Sequence, residues 1–256
     1  MTRVISGVAL AVAALAAILW LPVSALRVVT CAVAALAAHE YVRIAGAATG
    51  LSRWLLVAAV VSASWLMAAG RPVDPVLLLF VALAWVAIEV LWLGRTIQQA
   101  GAGLIAPVYI GVPLGMLVAI HVSGGSRATL LLLAAVVVSD SAQYYSGRMV
   151  GRRPLAPAIS PKKTIEGAIG GVVLGTLFVA VAGTLVFAAA PAGLALLGVA
   201  IVVLGICGDL FESRLKRDAG LKDSSSLIPG HGGVLDRIDA LLFATPAFYT
   251  WMRAIA

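Results

Sequence analysis

Residues 193–218 read GLALLGVAIVVLGICGDLFESRLKRD. From Gly193 to Phe211 the run is apolar except for Asp209, and it passes directly into Glu212, Arg214, Lys216, Arg217 and Asp218. A hydrocarbon core of about 30 Å asks for roughly 20 apolar residues in a helix, and this run supplies them. Working outward, similar runs recur at Val4–Leu21, Pro22–Ala38, Trp54–Gly70, Pro75–Gly94, Leu104–Val122, Thr129–Ser146, Gly167–Ala189 and Ala240–Ala256, about nine in all. The first has a signal peptide's look, with Arg3 ahead of an Ala-rich stretch, but eight runs follow it and it reads as a retained helix. The second is the weakest, being short and carrying Arg27, which suits a tilted or partly re-entrant segment.

Composition agrees. Of 256 residues, 62% are hydrophobic and 11% charged, against about 25% charged in soluble domains, so too little polar surface exists to cover a water-soluble core. Disorder is excluded by the same excess of Ala, Val and Leu. Cys31 and Cys207 stand far apart in apolar runs and suggest neither a disulfide framework nor a CxxC metal site. The expected fold is all-α, a polytopic transmembrane helical bundle with a cytoplasmic-side active site. Residues 1–128 form its N-terminal helices, a scaffold and lipid cavity. Residues 129–256 form a catalytic region with loops 147–166 and 212–239.

Basic residues orient the chain. In a nine-span arrangement Arg3, Arg43, Arg53, Arg95, Arg148, Arg152, Arg153, Lys162, Lys163, Arg214, Lys216, Arg217, Lys222 and Arg237 fall on one side, and only Arg71, Arg127 and Arg253 on the other. Fourteen against three is a positive-inside bias that places the N-terminus and both long loops in the cytoplasm. Omitting the weak second span would move Arg3 but leave the loops inside. The net charge of +7 then reports topology and anionic lipid, with no nucleic acid implied. The setting is the cell (inner or plasma) membrane, and a homodimer is compatible with so apolar a body.

The polar residues gather in few places. All four lysines lie in two segments, Lys162 and Lys163, then Lys216 and Lys222. Six of the 11 acidic residues, Asp209, Glu212, Asp218, Asp223, Asp236 and Asp239, occupy 31 positions. If the helix at 193 continues past Phe211, Asp209, Glu212, Ser213 and Lys216 share one face, and Asp236 and Asp239 stand i, i+3 at the start of the last helix. Such carboxylates suit Mg²⁺ with substrate phosphates; ion pairs with Arg214, Arg217 and Arg237 fit the same spacing. Between them Pro229-Gly230-His231-Gly232-Gly233 lets backbone N–H groups approach an anion, or forms a flexible turn. The segment Ser160-Pro161-Lys162-Lys163-Thr164-Ile165-Glu166-Gly167 reads as a phosphate-binding patch, a headgroup anchor or a helix cap. Asp140, with Gln143 and Tyr144 on its helical face, is an intramembrane carboxylate that calls for a partner or an aqueous cavity. Arg27 and Glu89 are buried by this reading and could pair with each other, without chemistry. Gly170-Gly171 with Gly175 reads as close helix packing, and His39-Glu40 has no metal-ligand partner at recognisable spacing.

The stretch Ser213-Arg214-Leu215-Lys216-Arg217, Lys222-Asp223, Pro229-Gly230-His231-Gly232-Gly233, Asp236-Arg237-Ile238-Asp239 resembles the signature of the phosphatidate cytidylyltransferase (CDP-diacylglycerol synthase) family. That signature is S-x-x-K-R, K-D, P-x-H-G-G and D-R-x-D, and Gly208-Asp209 with Glu212, the Ser160–Gly167 block and Asp140 are similar to further family features. The resemblance implies transfer of a cytidylyl group from CTP to phosphatidic acid, giving CDP-diacylglycerol and pyrophosphate in phospholipid biosynthesis. It implies Asp209 and Asp236 as metal ligands with Glu212 or Asp239 nearby, holding Mg²⁺ and leaving a place for a second ion, divalent or K⁺. Asp209, Asp236, Lys216, Lys222 and Asp239 are the implied catalytic set. Lys216, Arg217, Lys222 and Arg237 would hold CTP phosphates or pyrophosphate, and Lys162 and Lys163 the phosphatidate headgroup. Ser160, Thr164, Ser213, Asp223, His231, Gly232, Gly233 and Asp140 complete the implied substrate contacts, with membrane lipids as surroundings. Two rivals stay open: a related CTP-using lipid enzyme (polyprenol kinase or archaeal-type cytidylyltransferase) and an anion or divalent-ion transporter. The transporter predicts mid-span polar residues and broken helices, for which only Asp140 speaks.

Overall fold

The computed structural model describes residues 2–70, 75–230 and 232–255; Arg71 and His231, used above, lie outside the described residues. The chain divides into two compact units, residues 1–119 with 218–237, and residues 120–217 with 238–256.

The first unit is built from α1 (Thr2–Trp20), α2 (Val23–Ala45), α3 (Gly50–Ala68), α4 (Pro75–Leu91), α5 (Ile97–Ala106), a π-helical turn at Pro107–Gly111 and the opening of α6 (Val112–Val150). Pro22, extended at φ −64° and ψ 154°, precedes α2, and left-handed Gly46 ends it. α2 is a continuous 23-residue helix, which corrects the re-entrant reading: His39 to Ile44 extend the helix beyond the apolar run. Its inner face, Ala34, Ala37, Ala38, Tyr41 and Val42, is buried, and the Tyr41 hydroxyl donates to the Ala102 carbonyl at 2.8 Å. The π-helical turn opens at Pro107, which has no N–H to give the ladder. There Gly111 lies so near the Val60 backbone that a Cβ would collide with it. Glu89, 1% exposed, pairs with Arg95 at 3.6 Å. That corrects the suggested Arg27–Glu89 pair; Arg95 closes the turn after α4 and so lies nearer in sequence.

The second unit carries the rest of α6, then β1 (Pro154–Ala156), β2 (Ser160–Thr164), α7 (Ile165–Ala182), α8 (Pro191–Asp218) and α9 (Leu235–Ile255). Gly125, at φ 68° and ψ −173°, interrupts α6 between the two apolar runs that the sequence separates there. α6 and α7 approach through small residues: a Cβ on Gly167, Gly170 or Gly171 would run into Gln143, Ser146 or Gln143, and one on Gly175 into Val202 of α8, the close packing read from the sequence.

Among the described residues each of the nine apolar runs lies for most of its length on a helix. Among the described residues five helical segments reach, by length and composition, what a bilayer crossing requires: Val23–Ala45, Gly50–Ala68, Ile97–Val150, Ile165–Leu185 and Pro191–Asp218. Ser6–Trp20 and Leu78–Leu91 are shorter apolar helices. The fold is all-α and membrane-compatible, with one addition, the antiparallel β1–β2 hairpin pairing Pro154 with Thr164 and Ala156 with Ser160.

Candidate active site

In the second unit α8 does not stop where the apolar run stops, and this brings its polar residues into one row. Ser213 Oγ donates to Asp209 Oδ1 at 3.3 Å, and Lys216 pairs with Glu212 one turn earlier, Glu212 being fully buried. The hairpin is held against this helix end. Glu166 accepts from the Arg152 and Arg153 amides at 3.0 and 3.2 Å and from Arg153 Nε at 3.0 Å. Thr164 caps α7, its hydroxyl accepting from the Gly167 amide at 3.1 Å, and Arg217 Nε donates to the Ile159 carbonyl at 3.3 Å. Thus fixed, β2 sets Lys163 against Asp209 as an ion pair. Lys162, Lys163, Thr164, Asp140, Gln143 and Asp209 line a cavity of about 480 Å³, within the usual size of a small-molecule site. Ser160 sits half-buried on the same strand.

The electrostatics are crowded. Gln143 Nε2 donates to Asp140 Oδ1 at 3.2 Å and to Ser139 Oγ at 3.1 Å, and Asp140 feels both the Asp209 and the Lys163 charge. Asp239 lies just ahead of the last apolar run. Burial, then the charges of Asp209 and Asp140, push its carboxyl up, against a bond from the Ala240 amide at 2.8 Å and the opposing Lys216 charge. Three carboxylates thus share one field, with Lys163 partly neutralising it. Among the described residues no three His, Cys, Asp or Glu side chains are gathered closely enough to hold a metal ion. The donor chemistry is nevertheless that of a hard cation, carboxylate oxygens whose mutual repulsion a divalent ion would relieve.

In the first unit the signature loop is built around a residue the sequence reading set aside. Glu40, buried on α2, accepts from Ser225 Oγ at 2.6 Å, Val234 N at 3.0 Å, Leu235 N at 2.8 Å and Ser224 Oγ at 2.9 Å. Asp236 Oδ2 accepts from Ser224 N, Ser224 Oγ and Gly233 N at 2.9, 2.7 and 2.8 Å. Arg43 Nη2 holds the Ser224 carbonyl, and Ser6 Oγ donates to the Pro229 carbonyl at 3.1 Å. Gly232 takes φ 80° and Gly233 leaves no room for a Cβ beside Ser224 and Glu40, so both glycines are steric requirements of the loop. Lys222, Asp223 and Arg237 are exposed on this segment. The signal for Glu40 was present in the sequence, a carboxylate two residues past the second apolar run, on a helix that continues through it and buries it, where it must find donors.

A family model, the cytidylyltransferase family, matches residues 1–255. The chain belongs to the cytidylyltransferase family. Among proteins similar to it are the uncharacterized protein YnbB of Escherichia coli K12, 43% identical over 138 residues (54% of this chain and 46% of that protein). The phosphatidate cytidylyltransferase of Haemophilus influenzae is 50% identical over 126 residues (46% and 44%), and that of Bacillus subtilis is 37% identical over 157 residues (60% and 58%). The chain spans about half the length of the curated relatives it matches. As a cytidylyltransferase-family chain, it carries in its second unit a row of cationic groups beside carboxylates at one cavity, an arrangement able to hold and neutralise phosphates.

Proposed function

We propose that this chain transfers a cytidylyl group from CTP to phosphatidate, giving CDP-diacylglycerol and pyrophosphate in phospholipid synthesis. The observation that carries this reading is the family match over residues 1–255, supported by relatives named phosphatidate cytidylyltransferase and by the lysine-and-carboxylate cavity. In the reaction a phosphate oxygen of phosphatidate attacks the α-phosphorus of CTP. The new O–P bond forms as the bond to the β-phosphate oxygen breaks, and pyrophosphate leaves. Both substrates are polyanions, so positioning and charge neutralisation are what the protein has to supply.

Lys162 and Lys163 bind the phosphatidate phosphate, Lys163 exchanging its Asp209 partner for it. Ser160, Thr164 and Ser213 offer hydroxyls to the same phosphates, and Lys216 and Arg217 neutralise the nucleotide phosphates at the end of α8. Asp209 and Asp239, with Asp140 and Glu212, are the carboxylates offered to Mg²⁺, which when bound neutralises phosphoryl oxygens. The loop residues Lys222, Asp223, His231, Gly232, Gly233, Asp236 and Arg237 keep the roles their signature implies, nucleotide-phosphate contact and, for Asp236, metal ligation. The chain crosses the cell membrane about nine times, with its N-terminus and both polar segments cytoplasmic, surrounded by membrane lipids and able to form a homodimer.

Purified protein in detergent, given CTP, phosphatidate and Mg²⁺, is expected to form CDP-diacylglycerol, and chelation to stop it. Folded protein that forms product from prenol acceptors alone would replace this reading. A Cys placed at Ser225 should resist impermeant external thiol reagents in sealed cells; labelling from outside would reverse the topology.

A further inference from the structure

We infer that Glu40 is a positioning residue of the reaction: from α2 it fixes the backbone of the signature loop and, through Ser224, the carboxylate of Asp236. This rests on the proposed cytidylyl transfer and deepens it. A carboxylate 4% exposed inside an apolar helix is costly unless its oxygens are satisfied. The groups that satisfy it all come from the loop roughly 190 residues further on: Ser224 and Ser225 hydroxyls and the Val234 and Leu235 amides, at 2.6–3.0 Å. All four are donors, which is the pattern of an ionised carboxylate acting as a four-point clamp.

The clamp reaches further than the loop backbone. Ser224 Oγ has one proton and two carboxylate neighbours, Glu40 Oε2 at 2.9 Å and Asp236 Oδ2 at 2.7 Å. Its amide also donates to Asp236 at 2.9 Å, while Arg43 fixes its carbonyl from one helical turn beyond Glu40. The two amides that Glu40 holds, at 234 and 235, immediately precede Asp236 and begin α9. They are among the N–H groups that a helix start leaves without intrahelical partners. Gly233 has no Cβ because one would occupy the place of the Glu40 carboxylate and Ser224. Gly233 of the signature therefore serves the approach of Glu40, while Gly232 leaves room for the Asp236 carboxylate.

The test joins steady-state kinetics with hydrogen exchange in the full-length protein in detergent. Glu40→Gln, which replaces one acceptor by a donor facing donors, should speed exchange of the 232–235 amides while α3 and α7 keep their protection. It should lower kcat by about 10- to 100-fold, as small misplacements of reacting groups do, with KM for CTP and phosphatidate within about twofold. Glu40→Asp should recover part of both effects, and Ser225→Ala should give a smaller step in the same direction. Wild-type exchange and wild-type kcat in Glu40→Gln would overturn the inference, as would a kcat loss matched by loosening throughout the protein. If Glu40→Gln fails to fold, Ser225→Ala decides: faster 232–235 exchange with lower kcat supports the clamp, and no change in either overturns it. Selective loosening of the loop in a protein whose wild type makes no CDP-diacylglycerol would leave the clamp standing and remove the reaction.

Discussion

The two polar regions of this molecule treat their carboxylates in opposite ways. In the first unit Glu40 and Asp236 are surrounded by hydroxyls and backbone amides at 2.6–3.0 Å, so their charge is spent on shaping a loop. In the second unit Asp140 and Asp209 line a cavity of about 480 Å³ together with Lys162 and Lys163, and Asp239 shares the field of both carboxylates. Saturated hydrogen bonding makes a rigid element, whereas repelling carboxylates beside ammonium groups leave charge available to a ligand. The difference separates carboxylates whose oxygens are already satisfied by hydrogen bonds from carboxylates held close to other carboxylates.

Four substitutions sharpen that separation. Asp209→Asn removes the charge at the centre of the second cluster and should cost about 10²–10³-fold in kcat, read as CDP-diacylglycerol formed per minute by folded protein. An effect under about threefold would move the chemistry away from this cavity. Gly233→Ala attacks the other region sterically. Its Cβ has no room beside Ser224 and Glu40, so it should cost about 1–3 kcal/mol of stability by overpacking, measured by thermal unfolding. The Lys162→Ala, Lys163→Ala pair should raise KM for phosphatidate about tenfold, the worth of one charge-assisted bond, and KM for CTP much less. An equal rise in both would deny the lysines a lipid role.

The smallest effect is in pH. Burial and the Asp209 charge raise the Asp239 carboxyl above its ordinary value of 3.8, so the folded protein favours the protonated form. That contribution is full below the unfolded value and is lost as pH rises through the elevated folded one. Asp239→Asn cannot ionise. Its Tm advantage over wild type should therefore be near zero at about pH 4 and grow toward about pH 8, by about 2–4 °C for each kcal/mol in a chain of this size. A flat difference would show that Asp239 is not held in this field.

The helices were legible because each apolar run is long and its ends are marked by charge or by Pro and Gly: Pro22 and Gly46 bound α2, and Gly125 splits α6 between two runs. The row from Asp209 to Lys216 was legible too, since helical spacing alone aligns it. What was not legible depends on distance in sequence. The strands of the β1–β2 hairpin, PLA and SPKKT, are three and five residues long, and neither carries the apolar–polar alternation by which a strand is read. Glu89 takes Arg95 because a turn returns the chain there, which no periodicity encodes. Glu40 lies 184 residues from Ser224, so its donors appear only once the fold is known, and His39-Glu40 looked idle for that reason.

The most direct measurement is CDP-diacylglycerol formation from CTP and phosphatidate by purified wild type and Asp209→Asn, side by side, with Mg²⁺ and with chelator. Wild type should form product only with metal present, and an Asp209→Asn protein of unchanged helicity and Tm should lose that activity by about 10²-fold or more. Wild-type turnover in the variant, or no product from folded wild type with either CTP or dCTP, would contradict that expectation.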